Sequence, residues 1–295
     1  MKTFFTPGVR YMLLAVTAFS LMNLCVKMLP GIPPMEMVFF RCLVSLLICA
    51  WLLYKAEQSW IGNDRLRLLA RGTSGTLALY FFFVALQKLP LATAVTISYL
   101  SPVFSTLFAA IFLKEKVQPV QWLLFGVSFL GVILLKGWDP RVTTLYFTFG
   151  ILSSIFSGIA YTLVRRLKET EHPIVVVMHF QIVGTVAGAV FSATNFKTPQ
   201  GWEWVWLLAV GLLTQVGQVN LTKALQREKV GVVTSINFFG VVYAALFGWI
   251  LFQEHLSWKS LFAISLVAFG VVANILAARR ADLVPTVNIV KRLDE

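Results

Sequence analysis

Acidic residues are few in this chain. Aspartate and glutamate together number 13 in 295 residues, and all fall in loops or at the ends of apolar runs, none plainly at the middle of one. A carboxylate at the centre of a span costs roughly 2.5–3.5 kcal/mol on insertion scales, and one that is kept there often relays protons or cations. Its absence counts against a carboxylate-relay proton antiporter and against export of cationic compounds. Charged residues of both signs make up only 13% of the chain, about half the share in a soluble domain. Cysteine is scarcer still, at three residues. Cys25, Cys42 and Cys49 all lie inside apolar runs, so they read as small buried hydrophobes with neither a disulfide framework nor metal-ligand spacing. The patterns G-x-x-x-x-G-K-S/T, H-E-x-x-H and G-x-S-x-G do not occur, which removes a nucleotide-driven pump and two large hydrolase classes. No enzyme, cofactor or metal is expected.

What the chain has is apolar length. Hydrophobic residues make up 58%, and a spanning helix needs about 20 of them in succession. Ten such runs occur, at 9–29, 35–55, 67–88, 92–113, 119–136, 145–165, 174–194, 202–223, 230–252 and 258–278. Short gaps with breakers such as Pro30, Pro90, Pro119 and Pro173 separate them. Barrel strands alternate in short segments, whereas these runs are long and continuous, so the chain is expected to be an all-α integral membrane protein. The formal charge of +12 is spread over the gaps, as topology signals are, and does not point to nucleic acid. Lys55, Arg65, Arg67, Arg71, Arg165, Arg166, Lys223, Arg227, Arg279 and Arg280 gather at one set of ends. Far fewer, among them Lys88, Lys136, Arg141, Lys197 and Lys259, stand at the other. The positive-inside rule then places both termini in the cytoplasm of a cell whose inner membrane holds the protein.

Residues 85–135 repeat without a gap as residues 224–274, at an offset of 139 positions. Ala85-Leu86-Gln87 meets Ala224-Leu225-Gln226, Glu115 meets Glu254, and Gly131-Val132 meets Gly270-Val271. Matched Gln, Glu and Gly carry more weight than matched leucines. The halves, 1–140 and 141–280, each hold five spans, and residues 281–295 form a cytoplasmic tail. Five is odd, so the second half enters the membrane from the opposite side, as inverted repeats with a midplane site between them do.

The local marks are Phe39-Phe40-Arg41, Ala85-Leu86 ahead of Ala92-Thr93-Ala94, and Pro102 through Glu115, with weaker images at Ala224-Leu225 and Phe252-Gln253-Glu254. Over residues 9–278 the chain resembles the EamA family of the drug/metabolite transporter superfamily. The resemblance implies export or uptake of small metabolites through a central cavity, in a family broad enough that no ligand follows. Val241 stands where the first half has Pro102, so the two halves need not bend alike.

Candidate substrate-binding residues are polar groups inside the spans. Lys27 follows Asn23 by one turn, and Arg41 lies two turns into the second span. Each could snorkel outward, and Glu36 is near enough to pair with Arg41. The functional reading gives Arg41 a carboxylate or phosphate to hold, since its planar fork binds such groups bidentately. Gln215 and Gln218 lie in the eighth span, Ser157 and Tyr161 in the sixth, Tyr99 in the fourth and Asn237 in the ninth. Each amide is a candidate for interhelical bonding, and the group for a cavity lining. His179 reads as structural, and Gly184-Thr-Val-Ala-Gly188 as a close packing face. Glu115 and Glu254, which inversion puts at opposite faces, are expected to cap the fifth and tenth helices. The sequence thus points to a secondary transporter for a small metabolite with a negative group, such as an amino acid derivative or organic anion. The alternative is an exporter of neutral amphipathic compounds. The expected partners are that substrate and the lipid bilayer, without nucleic acid, the chain acting as monomer or homodimer.

Overall fold

A computed structural model of the chain describes residues 6–113, 117–227, 236–237 and 239–293, with side chains for all of these except 113, 225, 226, 275 and 278–293. Its elements run α1 (Pro7–Lys27), α2 (Pro34–Lys55), α3 (Arg65–Lys88), α4 (Leu91–Ser98), α5 (Ser101–Leu113), α6 (Pro119–Trp138), α7 (Thr144–Leu167), α8 (Pro173–Ser192), α9 (Glu203–Arg227), α10 (Phe239–Phe252) and α11 (Trp258–Leu293). In a bilayer each backbone polar group must find its partner inside the protein, and a helix does this locally. Proline opens α1, α2, α6 and α8, where its missing N–H would have had no helical partner. Thr6 accepts from the Val9 N–H, Asp64 from the Arg67 N–H and His172 from the Ile174 N–H, so the exposed donors of three helix starts are partly met.

Among the described residues eight helices are long and apolar enough to cross a membrane, with α4 and α5 counted together, and two shorter apolar ones, Phe239–Phe252 and Trp258–Asn274, complete the ten. The fourth span is broken at Tyr99 and Leu100. Pro102 lacks an N–H and its ring crowds the carbonyl four residues back, so α5 starts afresh at Ser101. The sequence read this span as one helix. Residues 281–293, read as a tail, continue the helix of α11.

The halves are two inverted five-helix repeats, and their packing shows the symmetry. Helix α1 packs on α9, α3 on α7, α2 on α8, α6 on α11, and α4 on α10. Exchanging the halves turns the first pairing into the second and the others into themselves. The offset of 139 holds at single residues. A Cβ on Gly131 would sit 2.9 Å from the Ala263 carbonyl oxygen, and one on Gly270 would sit 3.0 Å from the Leu124 carbonyl oxygen. Residues 124 and 263 are themselves repeat partners, as are 131 and 270. Gly72 packs on Val183 and Gly211 on Val44 in the same reciprocal way. Small residues at these points let backbones approach closely, the main source of packing energy between helices in lipid. Gly188 likewise receives the Phe39 backbone, so the G-x-x-x-G of α8 is a face against α2. Outside, Leu47, Trp51, Phe112, Val190, Phe191, Trp249 and Ile250 are exposed, an apolar belt of the kind lipid covers.

Candidate functional site

Helices α1, α2, α3, α7, α8 and α9 and the α4–α5 break enclose a cavity of about 160 Å³. Of the nine residues chosen from the sequence, seven line it: Asn23, Arg41, Tyr99, Ser157, Tyr161, Gln218 and Asn237. The Tyr99 hydroxyl donates to the Asn237 carbonyl at 2.6 Å and so ties the α4–α5 break to the second half. The Asn23 side-chain oxygen is buried with no hydrogen-bond partner among the described residues. Gln218 brings an amide to the wall, and Ser157 a hydroxyl.

Lys27 and Gln215 are held elsewhere. Lys27 Nζ lies 2.7 Å from a Glu254 carboxylate oxygen and donates to the Leu89 carbonyl at 2.5 Å. It therefore closes one end of the bundle instead of facing the cavity. The other Glu254 oxygen accepts from the Leu91 N–H at 2.7 Å. Glu254 thus caps α4, not the last helix as the sequence suggested. Gln253, at φ 53°, ends α10 in the left-handed region and turns the chain there. Glu115 lies outside the described residues. Beside this pair Asp139 accepts two hydrogen bonds from the Arg141 guanidinium, at 2.9 and 2.7 Å. Burial raises the Asp139 carboxyl, but the hydrogen bonds and charge of Arg141 outweigh it and hold the group below the usual carboxylate range.

Gln215 joins α9 to α2. Its carbonyl oxygen accepts from the Ser45 hydroxyl, and its amide nitrogen lies 3.2 Å from Cys49 Sγ. Gln181 donates to Ser45 at 2.9 Å, which adds α8 to the same network. An amide inside a span needs such partners, and these hold Gln215 against α2. His179 returns a ring nitrogen to the Val175 carbonyl of its own helix at 3.0 Å.

Arg41 is 2% exposed and belongs to the cavity wall. Its Nε donates to Thr214 at 2.8 Å, and its Nη1 lies 3.8 Å from Cys42 Sγ. Glu36 makes no ion pair with it: Glu36 accepts from the Lys197 N–H at 2.9 Å. One edge of the guanidinium is thereby fixed, while no carboxylate among the described residues pairs with it.

A second cation stands beside it. Arg71 was counted from the sequence among the basic residues at span ends, yet it lies six residues inside α3 at 4% exposure and lines the same cavity. Its Nε and Nη1 are buried without a hydrogen-bond partner among the described residues. The one sequence sign was Gly75, a turn further on: a Cβ there would collide with the Arg71 guanidinium and the Phe180 ring. Arg41 Cζ is 5.4 Å and Arg71 Cζ 4.5 Å from the centre of the Phe180 ring, so the two charges lie within about 10 Å. Cation–π attraction to one ring offsets only part of their cost. At that separation they repel by about 1–2 kcal/mol for an effective dielectric near 20, and desolvation adds several kcal/mol per ion. Among the described residues no aspartate or glutamate lines the cavity. The start of α5 at Ser101 also meets this wall, and a helix start carries partial positive charge.

A ten-helix bundle of inverted repeats around a polar, positively charged cavity is the architecture of a membrane transporter. The EamA-like transporter family model matches residues 6–136 and again 144–276; the chain belongs to this family. The pseudopaline exporter CntI of Pseudomonas aeruginosa is 33% identical over 250 residues, 84% of this chain and 88% of that protein. Solute carrier family 35 member G1 of Homo sapiens is 29% identical over 85% of this chain and 74% of its own length. The riboflavin transporter of Rhizobium johnstonii is 27% identical over 83% of each. A crystal structure 18% identical in sequence superposes with a TM-score of 0.68 over 93% of this chain and 98% of the other, which establishes a shared fold. The protein is a multi-pass membrane transporter of the EamA type.

Proposed function

We propose that the protein is a secondary transporter that moves a small organic metabolite with a negative group, an amino acid derivative or organic acid, by alternating access. The observation that carries this reading is Arg41: buried, anchored at Nε by Thr214, and set in the wall of a cavity that has no carboxylate among its described lining residues. A charge kept in such a place needs a counter-charge, and a substrate anion supplies it when bound. Asn23, Tyr99, Ser157, Tyr161, Gln218 and Asn237 give the same cavity its neutral polar contacts. The halves 1–140 and 141–280 rock about that site, with both termini in the cytoplasm of a cell whose inner membrane holds the protein. The likeness to a protein named as an exporter supports outward movement. The rings of Phe19, Phe82 and Phe180 in the lining favour a second reading, export of neutral amphipathic compounds.

A metabolite-library thermal-shift screen on purified protein tests the choice, since a ligand that binds the folded state raises apparent stability. The anion reading predicts that the stabilising compounds carry a carboxylate or phosphate. Stabilisation by neutral amphipathic compounds alone would contradict it.

A further inference from the structure

Resting on the anion reading of the cavity, we propose that Arg71 is a second anion-binding residue and that the substrate is a dianion, with both negative charges inside the cavity. Three observations converge. Arg71 is 4% exposed, and its Nε and Nη1 have no hydrogen-bond partner among the described residues. Arg41, also buried, stands across the same Phe180 ring, so the two guanidinium groups are within reach of one small molecule. Among the described residues the lining contains no acidic side chain, so a monoanion leaves one of the two charges uncompensated, whereas a dianion neutralises both. A buried cation left without its partner is costly, and the cavity therefore favours the ligand with one more negative charge at equal size.

The two cations also come from one half. At the offset of 139, Arg41 corresponds to Phe180 and Arg71 to Val210. The second half supplies in their place a ring and an aliphatic side chain. Gly75 and Thr214 are repeat partners too. Gly75 makes room for Arg71 and meets Phe180, while Thr214 takes the Arg41 hydrogen bond. The repeat has thus been altered at the same points in both halves so that two guanidinium groups fit beside one aromatic ring.

The test uses full-length purified protein and matched ligands: dicarboxylates of four to seven carbons, each compared with its own monoamide. Affinity is read by calorimetry, and folding by melting of the same samples. For wild-type protein, at least one diacid binds about tenfold or more tightly than its monoamide. In Arg71→Gln that diacid falls to the level of its monoamide, while the monoamide is unchanged; Arg71→Lys keeps part of the preference. If Arg71→Gln does not fold, the Arg71→Lys loss and the wild-type ratio decide. No diacid preference in wild-type protein overturns the proposal, as does an equal loss for both ligands in the Arg71 variant. Loss of monoamide binding in Arg41→Gln, with Arg71→Gln behaving as wild type, overturns the dianion proposal and leaves the anion reading standing. Anion binding unaffected in both variants removes both.

Discussion

Lys27 and Glu254 form an ion pair of 2.7 Å between the end of α1 and the end of α10, with both side chains about one-eighth exposed. The same carboxylate holds the first N–H of α4, so three segments of the chain meet at one acid. Lys27→Gln or Glu254→Gln therefore lowers the melting temperature. The cost is below the roughly 3–5 kcal/mol seen when a fully buried pair loses a partner, because water reaches both groups. A double-mutant cycle should give a coupling of about 0.5 kcal/mol or more. Affinity of the folded variants for an anionic ligand stays at the wild-type level. Weakened binding without a change in melting would return Lys27 to the cavity.

Gln218→Leu should lower transport while expression and melting change little. Gln218 lines the cavity, and an interhelical side-chain contact in a membrane protein averages about 0.6 kcal/mol, so its removal is a small structural loss. Initial rates in whole cells or vesicles, with melting of the same variant, separate the two effects. Wild-type transport kinetics in folded Gln218→Leu protein would make that amide a packing group.

Cysteine labelling checks the proposed orientation. Single cysteines placed in 55–65, in 168–172 and after Arg280 should react with an impermeant reagent only after the membrane is opened. Cys25, Cys42 and Cys49 are buried, which keeps the background low. Labelling of the C-terminal segment in intact cells would reverse the assignment of sides.

The fold was legible because lipid leaves few options. Apolar length implied helices, and an offset first visible at Gln87, Glu115 and Gly131 extends to Pro34 with Pro173 and Gly72 with Gly211. The break at Tyr99–Leu100 was marked by Pro102, but a proline in a span often kinks a helix without dividing it, and the sequence was read there as one helix. The cavity was legible as a set of polar groups, less so member by member. Gln215 and Gln218 are three residues apart, which turns them about 60° from each other around the helix. One meets α2 and the other the cavity, a difference fixed by the neighbouring helices and not by the sequence of α9. Lys27 looked like a ligand group because its partner is 227 residues away. Arg71 was hidden by its company: Arg65 and Arg67 in the same run are exposed, and nothing in a basic run says which member turns inward.

The account depends most directly on Arg41, and affinity and melting measured in the same samples of wild type, Arg41→Lys and Arg41→Gln decide it. Lys keeps the charge and loses the planar fork; Gln loses both. A charged hydrogen bond contributes about 1.5–3 kcal/mol, so affinity for an anionic ligand should fall in the order Arg, Lys, Gln, with the Gln variant at least about tenfold weaker. Neutral ligands should change far less. Unaltered affinity for the anion in folded Arg41→Gln protein would contradict the account and leave export of neutral amphipathic compounds as the better reading.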